Sequence, residues 1–226
     1  MKRAAIVLNG DSIPDKIPAP YIVCADGGYN LLRARGITPD LLIGDMDSVG
    51  GAALREATDG KIRILKYDAV KNESDGELAL LCVAREQFTH IDIYGAFGGR
   101  PDHEAANLAL LIRARELGLC ARICGAACDV YYVNADDGMK CGESGRGVFY
   151  KKIPEESSKI SDQILVSIVP LIAMTFRDSF GLRYDLSGLT IRPGSGRGIS
   201  NIATTSEIGF TLLSGSGYVY IIGVAK

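Results

Sequence analysis

Several absences narrow the class of protein. The 226-residue chain has no tryptophan, only two histidines and no excess of positive charge, since 25 Lys and Arg stand against 27 Asp and Glu. A net charge of −2 argues against a nucleic-acid-binding surface, which is normally basic and clustered. The longest apolar stretch, near 164–174, is broken by Ser167 and Pro170, so it is too short to span a membrane. These properties are those of an ordinary soluble protein.

Targeting and metal-binding signals are also missing. The basic start 1–3 and the apolar segment 4–8 end at Asn9-Gly10-Asp11 without a cleavage site. This pattern predicts a first β-strand rather than a signal peptide, and a cytoplasmic location by default. Three of the six cysteines are spaced four apart, at Cys120, Cys124 and Cys128, which matches no common zinc pattern. We therefore expect thiols with no metal role.

The first part of the chain alternates short apolar runs with helical or loop segments. Strands are predicted at 4–8, 21–25, 41–43, 63–67, 91–94 and 122–124, and helices at 29–35, 75–87 and 101–117. This alternation is typical of a parallel sheet with helices on both faces. We predict an α/β, Rossmann-like domain over residues 1–135.

The remainder of the chain has a different pattern. Short β-rich runs at 148–151, 164–169, 174–177, 189–191, 210–213 and 218–224 are separated by Gly, Ser and Pro. Ser214-Gly215-Ser216-Gly217 predicts a hairpin turn between the last two runs. With no helical period visible, we predict a small antiparallel β-sandwich over residues 136–226.

Two carboxylates, Asp45 and Asp47, directly follow the apolar run 41–43 and Gly44. At the end of an extended strand, side chains two residues apart point the same way. The two negative charges would repel each other, and a hard cation such as Mg2+ would relieve that repulsion. A solvated turn is the alternative, because Asp and Gly are favoured in turns for local reasons.

Other polar groups follow neighbouring predicted strands. They are Asp26-Gly27-Gly28, the segment from Lys71 to Asp75, and Gly98-Gly99-Arg100-Pro101-Asp102-His103. Ligands of open parallel sheets bind beyond the carboxyl ends of the strands, so these groups are expected to converge there. Acidic groups combined with one Lys and one Arg at helix starts favour Mg2+ with a polyphosphate.

Simpler structural roles compete with this interpretation. Ser74 and Glu77 form a capping box that makes Asp75 the first helical residue, and Asp102 follows a proline suited to the first helical position. Acidic residues at these places already oppose the helix dipole. His103 is either a ligand-contacting group or an ordinary helix histidine. Neither a P-loop nor a Gly-x-Gly-x-x-Gly motif is present, which leaves an ordinary P-loop or dinucleotide-binding site unsupported.

One loop of the second half is dense in polar groups. Residues 194–201 read Gly-Ser-Gly-Arg-Gly-Ile-Ser-Asn. A flexible β-connection is one interpretation. The other is a set of hydroxyl and amide groups, including Ser195, Ser200 and Asn201, that bind a small polar ring.

Taken in order, these motifs resemble those of the thiamine pyrophosphokinase family. The segments that carry the resemblance span both halves of the chain: Ala25–Gly28, Pro39–Ser48, Lys71–Leu80, Gly98–His103 with Asn107, and Gly198–Asn201. The resemblance implies an α/β domain followed by a β-sandwich, and a homodimer with active sites at the interface. It also implies transfer of pyrophosphate from ATP to the thiamine hydroxyl, giving thiamine diphosphate and AMP.

The resemblance also implies roles for individual residues. Asp45, Asp47 and Asp75 would bind Mg2+ and the polyphosphate. Residues that would complete the catalytic and nucleotide site are Asp26, Gly27, Gly28, Lys71, Arg100, Asp102 and His103. Ser200, Asn201 and Ser195 would contact thiamine, with Ser200 supplied by a partner subunit.

Two departures from the family pattern stand out. Asn72-Glu73-Ser74-Asp75 replaces a frequent Asp-x-Thr-Asp, and the tryptophan that stacks on thiamine in some relatives is absent. Two other functions are compatible with the same residues. One is another Mg2+-dependent nucleotide hydrolase or pyrophosphokinase, and the other is a non-catalytic module that binds thiamine diphosphate or a nucleotide.

Overall fold

The computed structural model describes residues 2–60, 62–136, 147–153 and 164–223. It contains two compact units, which divide between Ala126 and Ala127. The division falls before the predicted boundary at residue 135. The reason is the strand Cys128–Asn134, which pairs antiparallel with Ser216–Ile222 of the second unit along its whole length.

The first unit alternates strands and helices as predicted. In chain order they are β1 (Arg3–Val7), β2 (Ile22–Ala25), α1 (Gly28–Ala34), β3 (Leu41–Gly44), α2 (Gly51–Asp59), β4 (Arg63–Lys66), α3 (Asp75–Arg85), β5 (His90–Tyr94), α4 (Pro101–Glu116) and β6 (Cys120–Cys124). The strands pair in parallel, in the order β6-β5-β1-β2-β3-β4. The predicted α/β class is confirmed for this unit, and α2 is an addition to the predicted helices.

Both faces of the sheet are covered. Ala5 and Val7 of β1 pack in one core with Leu32 of α1 and Ala57 of α2. Ile6, whose side chain points to the opposite face, is fully buried as well, and α3 packs against β1, β2 and β3. This double cover explains why the strands are almost continuously apolar.

Local signals fix where the long helices begin and end. The Ser74 hydroxyl accepts a hydrogen bond from the Glu77 amide at 3.2 Å, as the capping box predicts. Pro101 occupies the first turn of α4, and Gly118 follows the helix with φ +76°. Asp75 and Asp102 therefore lie in the first turns of α3 and α4.

The strand order sets the position of the polar loops. β1 pairs with both β2 and β5, so the direction of strand addition reverses at β1. The carboxyl ends of β1, β2, β3 and β5 lie at one edge of the sheet because the strands are parallel. In such sheets this edge, close to the reversal, is where ligands bind.

The second unit is an antiparallel β structure. Its strands are β7 (Cys128–Asn134), β8 (Val148–Lys152), β9 (Leu165–Phe180), β10 (Thr190–Ile191), β11 (Asn201–Ile202) and β12 (Glu207–Ile222), with a 3-10 turn at Gly196–Gly198. β12 pairs with β7, β8 and β9, while β10 and β11 pair with β9.

The predicted hairpin at 214–217 is wrong. These residues lie inside β12, and the two runs predicted at 164–169 and 174–177 form the single strand β9. Register shifts between Thr211 and Gly217 show that the irregular sequence is absorbed as β-bulges. A Cβ on Gly215 would lie 2.1 Å from the Ala173 carbonyl oxygen, and one on Gly217 would lie 2.5 Å from that of Val169. These glycines permit close strand approach rather than a turn.

Residues from both halves of the long strands share one core in the second unit. The Phe149 and Phe210 rings stack at 5.1 Å, and Phe176 meets Phe210 edge-on at 5.2 Å. Val166 of β9 and Ile221 of β12 belong to the same cluster. Among the described residues, no helix has the length and apolar character needed to cross a membrane.

Candidate active site

The turn after β3 holds Asp45 and Asp47 in a bent arrangement. Gly44 has φ +145° and Met46 φ +69°, so the chain leaves the strand through two unusual backbone conformations. The Asp47 amide donates to Asp45 Oδ1 at 3.1 Å, and the Ser48 hydroxyl donates to Asp47 Oδ1 at 2.9 Å. The turn is thus held by its own hydrogen bonds, as expected for the solvated-turn alternative. It also presents two carboxylates.

Gly44 allows two further carboxylates to approach the end of β3. A Cβ at this position would lie 2.9 Å from Asp26 Cβ and 3.3 Å from Asp75 Cγ. Any side chain here would displace one of these acidic residues. The loops that carry Asp26, Asp45 and Asp75 therefore converge at the end of β3, whereas the convergence of the Gly98–His103 segment with them stays a prediction.

Asp26, Asp45 and Asp47 form a close acidic group. One carboxylate oxygen of each lies within 4.8 Å of those of the other two. Asp26 is only 7% exposed, and its Oδ1 has no hydrogen-bond partner among the described residues. Burial raises the pKa of Asp26, and the charges of Asp75 and Asp47 raise it further, against hydrogen bonds from Ser48 and Gly27 that lower it.

Backbone strain accompanies this group. Asp26 adopts φ +40°, a conformation that non-glycine residues seldom take. Its amide is held by the Ile43 carbonyl at 2.8 Å, which fixes Asp26 beside the end of β3. Such strain is common where a side chain must be aimed at a ligand.

Lys71 is the cation of the site. Its ammonium lies 2.8 Å from Asp75 Oδ1 and 3.9 Å from Asp45 Oδ2, and its side chain is 14% exposed. Burial lowers the pKa of Lys71, but the hydrogen bond and charge of Asp75 and the charge of Asp45 outweigh it, so that the pKa is raised. Lys71 is therefore protonated at neutral pH.

The carboxylates group differently from the sequence prediction. That prediction placed Asp75 together with Asp45 and Asp47 at the metal site. Asp75 is neutralised by Lys71, whereas Asp26 joins the other two. Ala25 pairs with Ile43 in the β2–β3 register, which sets Asp26 beside Gly44. That adjacency follows from strand order, which the motif spacing alone does not contain.

Gly27 and Gly28 are needed for packing within the protein. A Cβ on Gly27 would lie 2.4 Å from Asn9 Nδ2, and one on Gly28 would lie 2.6 Å from the Val7 carbonyl oxygen. The close backbone approach predicted for a ligand is here an approach to the loop after β1 and to β1 itself. A ligand role for these glycines stays a prediction.

Arg100 and Asp102 form a bidentate ion pair at the start of α4. Arg100 Nη2 lies 2.6 Å from Asp102 Oδ2, and Nε lies 3.1 Å from Oδ1. The guanidinium lowers the pKa of Asp102. Both side chains and His103 are exposed. Arg100 is thus bonded to Asp102 while remaining open to solvent.

The loop before Arg100 is anchored by α4. The Gly98 amide donates to Glu104 Oε1 at 2.6 Å, and Asn107 Nδ2 donates to the Ala96 carbonyl at 2.9 Å. Glu104 was absent from the sequence-based candidates, although its place one turn into the helix is the available signal. These bonds fix the direction in which the loop presents Arg100.

In the second unit, the polar loop 194–201 is held by hydrogen bonds within the loop and to neighbouring segments. Ser195 Oγ accepts from the Arg197 amide at 3.2 Å. Ser200 is exposed, adopts φ +59° and donates its amide to Ser167 Oγ at 3.0 Å. Asn201 is buried, and its carboxamide bonds main-chain groups of Tyr184 and Ile202. Ser200 therefore presents an open side chain, whereas Asn201 does not.

One part of the chain is similar in sequence to a known catalytic domain. The profile described as the catalytic domain of thiamin pyrophosphokinase matches residues 17–121, which include Asp26, Asp45, Asp47, Lys71 and Asp75. This segment of the chain is therefore similar to the catalytic domain of thiamin pyrophosphokinase.

A curated relative carries the same name. The chain is 32% identical over 98 residues to thiamine pyrophosphokinase of Bacillus subtilis (strain 168). This aligned segment makes up 43% of the chain and 46% of the relative, so the match spans less than half of the relative's length.

Solved structures extend the likeness to the whole fold. The crystal structure of thiamine pyrophosphokinase from Bacillus subtilis superimposes with a TM-score of 0.81 at 23% identity, covering 98% of this chain and 99% of that chain. Thiamin pyrophosphokinase from Candida albicans gives a TM-score of 0.79 at 16% identity, covering 97% and 90%. The chain therefore shares the fold of thiamin pyrophosphokinase structures across both units.

Proposed function

We propose that the chain is a thiamine pyrophosphokinase. In this reaction the thiamine hydroxyl oxygen bonds to the β-phosphorus of ATP, the bond from that phosphorus to the α,β-bridging oxygen breaks, and AMP leaves. The single observation that carries the proposal is the convergence of Asp26, Asp45 and Asp47 beside Lys71, within the segment that matches the catalytic domain.

Asp26, Asp45 and Asp47 are the residues that would hold Mg2+. The donor set fits a hard cation, because it consists of carboxylate oxygens within 4.8 Å of one another. Asp26 Oδ1 is buried and lacks a hydrogen-bond partner among the described residues, which a cation would supply. When bound, Mg2+ neutralises phosphate charge and polarises phosphoryl oxygens.

Lys71 and Arg100 are assigned to the phosphates. Lys71 is a partly buried cation that already borders the carboxylates, so it would lie next to the charge that develops during transfer. The Arg100 guanidinium is exposed and planar, so it can donate two parallel hydrogen bonds to phosphate oxygens. Its pair with Asp102 is solvent-exposed, and exchanging this partner for a phosphate costs little.

Asp75 is assigned to accept the proton of the thiamine hydroxyl. Its ion pair with Lys71 at 2.8 Å and its place in the first turn of α3 fix the position of the carboxylate. Catalysis of this kind depends chiefly on positioning and charge neutralisation. Asp75 meets the need for positioning, because Lys71 and the start of α3 hold it in place.

The second unit is assigned to thiamine. Ser195 and Ser200 offer hydroxyls. Tyr184, whose ring is exposed, is joined to the end of this loop by the hydrogen bond from its amide to Asn201. Tyr184 would replace the stacking tryptophan of some relatives, since a tyrosine ring also offers a π-face to an aromatic or cationic ring. His103, Gly27 and Gly28 remain assigned to the nucleotide.

The assembly is also part of the proposal. We expect a cytoplasmic homodimer whose active sites combine groups from two subunits, and a β-sandwich arrangement of the second unit. The shared core of β8, β9 and β12 supports the sandwich.

Chromatographic product analysis tests the activity. The purified chain with thiamine, ATP and Mg2+ should form AMP and thiamine diphosphate in equal amounts, and omission of thiamine should stop AMP release. Release of phosphate without thiamine would favour a hydrolase instead. Tight binding of thiamine diphosphate or nucleotide without turnover would favour a binding module.

A further inference from the structure

The loop between β9 and β10 exposes an aromatic ring. Tyr184 is 62% exposed, although the polypeptide on either side of it is firmly bonded. Leu182 forms an antiparallel bridge with Ala203, and the Arg183 amide donates to the Ile202 carbonyl at 2.8 Å. The ring is therefore mounted on a well-anchored backbone.

The Asn201 side chain extends this series of backbone hydrogen bonds. Its Oδ1 accepts from the Tyr184 amide at 3.0 Å and from the Ile202 amide at 2.9 Å, while its Nδ2 donates to the Tyr184 carbonyl at 2.7 Å. The carboxamide thus bonds both main-chain groups of Tyr184, as a neighbouring strand would. Only a carboxamide supplies an acceptor and a donor in this geometry.

Asp185 secures the other side of Tyr184. Its Oδ1 accepts from the hydroxyls of Ser179 at 2.7 Å and Ser187 at 2.6 Å, and from the Ser187 amide at 2.9 Å. The Leu186 amide donates in turn to the Ser179 hydroxyl at 2.9 Å. Tyr184 is held from both sides, so its ring starts from a fixed backbone direction.

We infer that Asn201 is a positioning residue that acts on thiamine through Tyr184 rather than by touching it. Asn201 is 6% exposed and its carboxamide is engaged by main-chain groups, which leaves Tyr184 as the exposed member of the pair. An ordered aromatic face binds a ring at a lower entropic cost than a mobile one. The inference rests on the proposed function, because thiamine is its ligand.

A double-mutant cycle between Asn201→Ala and Tyr184→Ala tests the inference, with the thiamine KM, ATP KM and kcat measured for each variant. Loss of the ring should raise the thiamine KM by about threefold to tenfold. Asn201→Ala should raise it by a similar or smaller factor, and should add less than about twofold in the Tyr184→Ala background. The ATP KM should stay unchanged throughout.

Two further variants keep the test decisive. Asn201→Asp retains both acceptor bonds but sets a buried carboxylate oxygen against the Tyr184 carbonyl oxygen, so its thiamine KM should rise at least as far as that of Asn201→Ala. Asn134→Ala removes a comparable side-chain bond, which the Asp136 amide donates to Asn134 Oδ1, and should leave the thiamine KM unchanged. Melting temperatures of all variants separate loss of folding from loss of binding.

Two results would overturn the inference alone. Asn201→Ala could raise the thiamine KM as much in the Tyr184→Ala background as in wild type, which would indicate direct contact with the substrate. It could instead lower only the melting temperature, which would indicate a structural role. Wild-type chain that shows no thiamine-dependent turnover would overturn the proposed function itself, and with it the identity of the ligand.

Discussion

In the absence of metal, Asp26→Asn should stabilise the protein. It should also reduce the stabilisation that Mg2+ adds. Asp26 is a buried carboxylate whose Oδ1 lacks a hydrogen-bond partner among the described residues, and two other carboxylates lie within 4.8 Å. Two like charges at 4.8 Å repel by about 3.5 kcal/mol at an effective dielectric constant of about 20. Solvent around the exposed Asp47 reduces this value.

The expected net gain in the metal-free free energy of unfolding is therefore about 1–2 kcal/mol, after this screening. For a chain of this length it corresponds to a rise in melting temperature of about 2–8 °C. In wild type, Mg2+ at a hundred times its Kd should add about 2.7 kcal/mol, and Asp26→Asn should gain less.

Calorimetric melting in EDTA and in MgCl2 measures both effects. Asp92→Asn is the matched control, because Asp92 is also buried in the first unit but is paired with Arg3 at 3.5 Å and Arg122 at 2.6 Å. This control should destabilise the protein equally in both buffers. If Asp26→Asn also lowered the metal-free melting temperature, the assignment of an unrelieved charge to Asp26 would be refuted.

Three other predictions concern activity, packing and pH. Asp47→Asn should lower kcat by at least about a hundredfold with an unchanged circular dichroism spectrum, and near-normal turnover would contradict its role. Gly28→Ala should cost about 1–3 kcal/mol in urea unfolding, since its Cβ would lie 2.6 Å from the Val7 carbonyl oxygen. Hydrogen bonds from Ser187 and Ser179 lower the pKa of Asp185 to about 2, so the stability that Asp185 adds should be present above about pH 4 and lost as the pH falls towards 2. Acid titrations of wild type and Asp185→Asn should therefore differ above pH 4 and converge near pH 2.

Much of the first unit could be predicted because its signals are local. The capping box at Ser74, the proline at 101 and the glycine at 118 each act within a few residues, and the helices they delimit were confirmed. The second unit was harder. Gly215 and Gly217 look like a turn in sequence, yet they serve the contact of β12 with β9, which depends on residues more than forty positions away.

The same distinction applies to the site. Asp45 and Asp47 were identifiable from one short segment, but their carboxylates are brought together by the turn through Gly44 and Met46 rather than by an extended strand. The grouping of Asp26 with Asp45 and Asp47, and of Asp75 with Lys71, depends on an ion pair and on the β2–β3 register, both of which are tertiary. Asn201 was predicted to contact the substrate, but its bonds to Tyr184 link residues seventeen positions apart.

Manganese titration followed by electron paramagnetic resonance tests the assignment of the metal site most directly, since Mn2+ prefers the same oxygen ligands as Mg2+. Free Mn2+ should fall on addition of wild-type protein. Asp26→Asn should abolish this binding, whereas Asp75→Asn should retain it, because Asp75 is paired with Lys71. Loss of binding in Asp75→Asn with full retention in Asp26→Asn would contradict the account.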